Sequence, residues 1–85
     1  MKLNDAVDAL GALAQPARLK VFRLLVKSGE EGMCAGDLSK RLDVPKPTMS
    51  FHLKELTNAG LISATRDGRA ITYTIQKKGI QQLMT

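Results

Sequence analysis

Apolar residues recur at helical spacing along four segments within the first 58 positions of the chain. The first segment is predicted to begin at a capping Asn4 and to form a helix that runs to about Leu13. The second is predicted to begin at Pro16, because proline suits the first turn of a helix, and to end at Ser28. The expected apolar stripes of these helices are Val7, Leu10 and Leu13 in the first and Leu19, Phe22, Leu25 and Val26 in the second.

The third and fourth helical segments are predicted to be joined by a tight turn. A short helix over 35–42 is followed within three residues by a helix over 45–58. Pro45 and Pro47 are tolerated only in a first turn, and Gly60 can take the left-handed conformation that ends a helix. The inner face of the fourth helix is expected to hold Met49, His52, Leu53 and Leu56. Two helices joined in this way form a helix-turn-helix motif.

Between Leu61 and Ile75 the apolar pattern changes to a period of two, which indicates a hairpin. With Asp67 and Gly68 as a two-residue turn, the predicted register places Arg66 opposite Arg69, Ala64 opposite Ile71 and Ile62 opposite Tyr73. A last helix is predicted from about Lys77, and we expect its apolar stripe to continue in a longer parent chain. The sequence therefore predicts one domain over 1–85 that is mostly α with a β-hairpin wing. Its architecture would be a winged helix-turn-helix of about five helices and a two-stranded antiparallel wing.

Charge is distributed unevenly along the chain, which has a net charge of +5 and an isoelectric point near 9.7. Residues 1–43 carry seven basic and six acidic side chains, whereas residues 44–85 carry six and two. A basic second half favours a polyanionic partner, although a solvated surface would have the same composition. Without a signal sequence or a membrane-spanning segment, the chain is expected to be soluble and cytoplasmic.

In a winged helix-turn-helix, the second helix of the pair enters the major groove of DNA and the wing reaches flanking backbone or minor groove. Lys46 can reach a guanine edge or a phosphate, and Ser50 can donate a hydrogen bond to a base or phosphate oxygen. Phe51 either contacts a thymine methyl group or folds onto the core. Arg66 and Arg69, predicted to lie opposite each other, would repel in the free protein and could share a phosphate. The DNA-contact candidates are Lys46, Pro47, Thr48, Ser50, Phe51, Lys54, Arg66 and Arg69.

Catalytic and metal chemistry have little support in the sequence. His52 is the only histidine, and no acid is placed to orient it, so we expect a hydrogen-bonded structural residue. The single Cys34 excludes an internal disulfide and cannot build a zinc site alone. We therefore predict no enzyme activity and no cofactor.

Five segments in order resemble the arsenic-repressor (ArsR) family over nearly the whole chain. They are 10–19 (LGALAQPARL), 36–42 (GDLSKRL), 45–53 (PKPTMSFHL), 59–61 (AGL) and 68–73 (GRAITY). The resemblance implies a homodimeric repressor that reads a palindromic operator in double-stranded DNA and is released by an inducer, with control of an arsenic-resistance operon among the implied functions. It also implies dimer contacts from the first and last helices. DNA contacts are implied for Lys46, Pro47, Ser50, Phe51 and Arg69.

The chain departs from the family at its sensing sites. The family's metalloid site on the third helix reads Cys-Val-Cys, whereas here Gly36 stands in place of the second cysteine. Cys34 is therefore the one candidate metal ligand, and a lone thiolate is a poor arsenic site beside its alternative role as a packing residue. A metalloid inducer is expected only in a longer parent chain with further cysteines.

Three alternatives to a metal-responsive repressor stay open. The chain could be an ArsR-like regulator with a non-metal signal, a winged-helix protein-interaction module without DNA binding, or a double-stranded RNA binder. The deep, narrow major groove of RNA would not admit the recognition helix, which weighs against the RNA alternative.

Overall fold

The computed structural model describes residues 2–84 and contains five helices and one two-stranded antiparallel sheet within that range. The terminal residues of the predicted 1–85 domain, Met1 and Thr85, lie outside the described part. In chain order the elements are α1 (Leu3–Leu13), α2 (Pro16–Ser28), α3 (Ala35–Leu42), α4 (Lys46–Asn58), β1 (Ile62–Asp67), β2 (Ala70–Ile75) and α5 (Lys77–Met84). This arrangement confirms the predicted winged helix-turn-helix. Within residues 2–84, no helix is long and apolar enough to cross a bilayer.

The first two helices bury only part of the apolar stripes that the sequence predicts. Helix α1 begins one residue before Asn4, which therefore lies inside the helix and does not cap it. Its buried residues are Ala9 and Ala12, whereas Val7 and Leu10 are 57% and 58% exposed. The small alanine side chains allow α1 to approach the core closely. Leu13 is partly buried against the core, whereas Val7 and Leu10 remain outside it.

Helix α2 shows the same difference between prediction and structure. Its core residues are Val21 and Leu25, whereas the predicted core residues Leu19 and Val26 are 44% and 55% exposed. The predicted stripe was too wide, because an apolar residue beside the buried face also fits helical spacing.

Backbone geometry fixes the helix-turn-helix motif at the turn between its two helices and at the end of its second helix. Between α3 and α4, Asp43 takes a left-handed conformation with a φ of 53°, and the N–H of Val44 donates to the Ser39 carbonyl at 3.0 Å. After α4, the N–H groups of Gly60 and Leu61 donate to the carbonyls of Thr57 and Leu56. This pair of bonds is a Schellman motif with glycine in the left-handed position, as the sequence predicted. It carries Leu61 into the core, where that side chain is fully buried.

The wing forms a hairpin, but the predicted register and turn were wrong. Arg66 pairs with Ile71 and not with Arg69, and each residue of β1 pairs two positions further along β2 than predicted. The loop is Gly68 and Arg69, with a φ of 63° at Gly68. A turn with glycine at its first central position needs positive φ only there, whereas the predicted Asp67-Gly68 turn would force Asp67 into the left-handed region as well. Because the shift is two residues, the apolar side chains keep their predicted face.

The base of the wing is attached to the segment that leads into α3. Met33 forms a bridge with Tyr73 on β2, donating its N–H at 3.0 Å and accepting the Tyr73 N–H at 2.9 Å. Gly32, with a φ of 67°, lies directly against the Tyr73 carbonyl, so that a Cβ would overlap it. Gly79 likewise lets α5 pack against the backbone of Gly60. The contacts of Gly32 and Met33 thus attach the wing to the segment before α3, and the contact of Gly79 attaches α5 to the end of α4.

Candidate nucleic-acid interface

Helix α4 has one face in the core and one face in solvent. Its inner residues Met49, His52, Leu53 and Leu56 are all at most 6% exposed, which confirms the predicted inner face. The helix is preceded by Pro45, whose carbonyl accepts the Met49 N–H at 2.8 Å, and Pro47 lies in the first turn where no N–H is needed. The inner face thus fixes which side chains project outward.

All of the predicted DNA-contact side chains on α4 lie in solvent. The exposed residues are Lys46, Pro47, Thr48, Ser50, Phe51 and Lys54. Lys46 is the first residue of the helix and Lys54 lies two turns further along. An exposed helix face with two cations, two hydroxyl groups and an aromatic ring offers both hydrogen bonds and an apolar contact to base edges.

The two wing arginines are exposed but are not placed as a facing pair. Arg66 lies on β1 opposite Ile71, and Arg69 lies in the loop. The prediction that the two arginines lie directly opposite each other is therefore wrong. Each arginine is a separate cation near the tip, beside Asp67, the only acid of the hairpin.

Phe51 is held in solvent and is not folded onto the core. Its side chain is 53% exposed, and the Arg18 guanidinium carbon lies 5.5 Å from the ring centroid. Arg18 Nε also donates to His52 Nδ1 at 3.1 Å. Arg18 precedes the buried Val21 and Leu25 on α2 by three and seven residues. That spacing was the signal for its inward position.

His52 is a buried, hydrogen-bonded residue, as predicted. Burial lowers the pKa of its imidazole below the ordinary value, and the neighbouring Arg18 charge lowers the pKa further. The Arg18 guanidinium can only donate, so His52 Nδ1 is the acceptor and the ring proton lies on Nε2. The ring thus serves to connect α2 with α4.

Cys34 lies immediately before α3 and is half-buried. A Cβ placed on Gly36 would lie 4.0 Å from the Cys34 sulfur. A second cysteine at position 36 would therefore be close to the first. Among residues 2–84, no group of three histidine, cysteine or acidic side chains is placed to hold a metal ion.

Residues 13–63, more than half of the chain, match the helix-turn-helix domain family. A Halobacterium salinarum protein named as an arsenical resistance operon repressor, ArsR, is 38% identical over 77 residues, which is 91% of this chain and 59% of that protein. The chain belongs to the ArsR family. Proteins of this family are transcriptional regulators.

Two further comparisons differ in what they show. The transcriptional repressor SdpR of Bacillus subtilis is 37% identical over 70 residues, covering 82% of this chain and 74% of that protein. The homodimeric winged helix-turn-helix DNA-binding domain Mb0332 of Mycobacterium bovis superimposes with a TM-score of 0.82 over 96% of this chain and 74% of that one. At 23% identity, the second likeness shows the fold alone. The chain spans 59% of the length of the Halobacterium protein, so the activity of a whole repressor is a matter for proposal.

Proposed function

We propose that the chain is a sequence-specific DNA-binding repressor of the ArsR type, acting as a homodimer and without enzyme activity. The observation that carries the proposal is the two-faced helix α4. Its apolar face is buried in the core, and its other face leaves six potential DNA-contact side chains in solvent. A basic hairpin follows directly from its end through Gly60 and Leu61. This is the geometry of a recognition helix with a wing.

The exposed side chains divide by the part of DNA that their chemistry fits. Lys46 and Ser50 can bond to base edges or phosphates, and the Phe51 ring fits the methyl group of thymine. Pro47 and Thr48 lie beside them in the first turn, and Lys54 fits a phosphate. Arg66 and Arg69 would contact flanking backbone or minor groove from the wing. Because Arg66 pairs with Ile71 and Arg69 lies in the loop, the hairpin no longer requires the two arginines to share one phosphate.

Dimerisation through α1 and α5 explains apolar surface that the single chain leaves uncovered. Leu3, Val7 and Leu10 follow one another at helical spacing on α1 and are 79%, 57% and 58% exposed. Met84 on α5 is 83% exposed. A second copy that covers these residues would remove them from water, and the homodimeric Mycobacterium bovis domain has the same fold.

The number of sulfur ligands in the chain bears on the identity of the inducer. The name of the Halobacterium relative favours an arsenic-resistance operon as the regulated target. However, trivalent arsenic favours three sulfur ligands and this chain has only Cys34. A metalloid inducer would need thiols from a longer parent chain, and a non-metal signal is the alternative that a lone cysteine favours.

Two substitutions with different expected signatures test the interface. Arg69→Ala should weaken binding to all DNA sequences about equally and reduce the salt slope by about one phosphate's worth. Lys46→Ala should in addition relax the preference at one base position. Lys78→Ala removes an exposed cation from α5 and serves as the control, with no change in sequence preference. Unchanged affinity of Arg69→Ala at low salt would contradict the role of the wing.

A further inference from the structure

We propose that Arg18, a residue of α2 outside the recognition helix, positions Phe51 for base readout without touching a base itself. This inference rests on the proposed DNA-binding function. It follows from one guanidinium group that contacts two neighbouring side chains of α4, one on its buried face and one on its exposed face.

The backbone of Arg18 is anchored at the first turn of α2. Its N–H donates to the side-chain oxygen of Gln15, the N-cap residue, at 2.9 Å. Val21 and Leu25, three and seven residues further along, are fully buried. Arg18 therefore projects from the same side of α2 as the core residues and toward α4, with part of its guanidinium in solvent.

The hydrogen bond to His52 orients the guanidinium plane. His52 is only 6% exposed, and its Nδ1 accepts the Arg18 Nε proton at 3.1 Å. Because the imidazole is packed between Met49 and Leu56 along α4, the acceptor has a fixed position. The hydrogen bond from Nε in turn restrains the direction in which the planar guanidinium points.

The oriented guanidinium lies against Phe51. A distance of 5.5 Å from its central carbon to the ring centroid is within the range of a cation–π contact. The opposite side of the ring remains open, because the side chain is 53% exposed. An exposed phenylalanine without such a contact would exchange between rotamers and lose that freedom on binding DNA. Arg18 thus reduces the ordering cost of presenting the ring to a thymine methyl group.

Lysine cannot replace arginine in this arrangement. An ammonium group keeps the charge, but it has no Nε donor within a planar fork that could contact His52 and Phe51 together. Arg18→Lys therefore removes the positioning and leaves the charge, which separates this role from a simple electrostatic attraction to phosphate.

The test is a double-mutant cycle on Arg18 and Phe51. The probes are a DNA duplex selected by the wild-type protein from a randomised library and the unselected library itself. Arg18→Lys and Phe51→Leu should each weaken binding to the selected duplex by about fivefold, with the unselected library bound as before. The double variant should be no weaker than the weaker single variant, since both changes remove one interaction. Arg23→Lys, an exposed change on the same helix, is the matched control and should have no effect.

The contradicting results are specific. Effects that multiply in the double variant, or an Arg18→Lys variant that weakens both probes and reduces the salt slope, would refute positioning while leaving the DNA-binding function intact. A wild-type protein that selects no duplex from the randomised library and does not bind the unselected library would refute the proposed function itself. Thermal unfolding of each variant checks folding, and nitrogen NMR of His52 without DNA adds a second readout. The Nε2-protonated tautomer should dominate in the wild type and give way to a mixture in Arg18→Met.

Discussion

Helices α1 and α4 both carry apolar residues at helical spacing, yet they use them in opposite ways. In α4 the stripe of Met49, Leu53 and Leu56 is fully buried within its own chain. In α1 the larger apolar residues Val7 and Leu10 are more than half exposed, and the residues that reach the core are Ala9, Ala12 and the partly buried Leu13. Helical periodicity therefore identifies an apolar face but does not identify the surface that covers it. For α4 that surface is the core, and for α1 we propose a second copy of the chain.

The strongest expected contrast between the two helices is in stability. Leu53→Ala on α4 should lower the free energy of unfolding by about 2–5 kcal/mol, because it leaves a cavity in the core. Leu10→Ala on α1 should change the stability of the monomer by about 0.5 kcal/mol or less, because the side chain already contacts water. Urea unfolding at a protein concentration that favours monomer measures both. Similar losses for the two variants would remove the distinction.

Association should respond in the reverse order. Leu10→Glu places a charge in the proposed dimer surface and should weaken dimerisation by at least about a hundredfold, since each buried leucine contributes about 1.5–3 kcal/mol and occurs twice in a symmetric dimer. Ala70→Glu, an exposed change of equal charge in the wing, is the control. Analytical ultracentrifugation over a range of concentrations gives the dimer constant. A Leu10→Glu variant that associates like the wild type would place the dimer surface elsewhere.

A smaller effect is expected from His52 on α4. Because the pKa of His52 is lowered in the folded state, the unfolded chain binds more protons as the pH falls below about 6.5. Stability should therefore be fully present above this pH and decrease as the pH falls toward 5. Urea unfolding across this range measures the slope, and His52→Gln, which keeps an acceptor for Arg18, should reduce the slope. Constant stability of the wild type over that range would contradict the buried neutral imidazole.

The elements whose local chemistry and packing agree were predictable from the sequence. The boundaries of α3 and the end of α4 followed from spacing and from Gly60, and the exposure of the six DNA-contact candidates on α4 followed from its inner face. The buried faces of α1 and α2 followed from the sequence only in part, because apolar side chains outside the core have the same spacing as those inside it. Asn4 was predicted to cap α1, but the helix begins one residue before it, at Leu3.

The remaining differences arise from geometry that a linear pattern does not contain. The wing register depends on which residue takes a positive φ, and here Gly68 alone does so in the turn. The Met33 bridge joins residues 40 positions apart, and the contact of Arg18 with His52 spans 34 positions. Tertiary contacts of this kind leave little trace in local spacing. The candidate site was therefore found as a set of exposed residues, whereas the residue that we propose positions it was not.

The affinity for DNA as a function of salt concentration tests the central proposal most directly. The selected duplex and the unselected library should both be bound, with the selected duplex preferred. If each subunit of a dimer neutralises about three phosphates, the logarithm of the binding constant should fall with the logarithm of the salt concentration at a slope of about −5. Measurements between about 50 and 200 mM salt are sufficient. Absence of binding, or a weak affinity that is independent of salt and sequence, would contradict the DNA-binding function and favour a protein-interaction module.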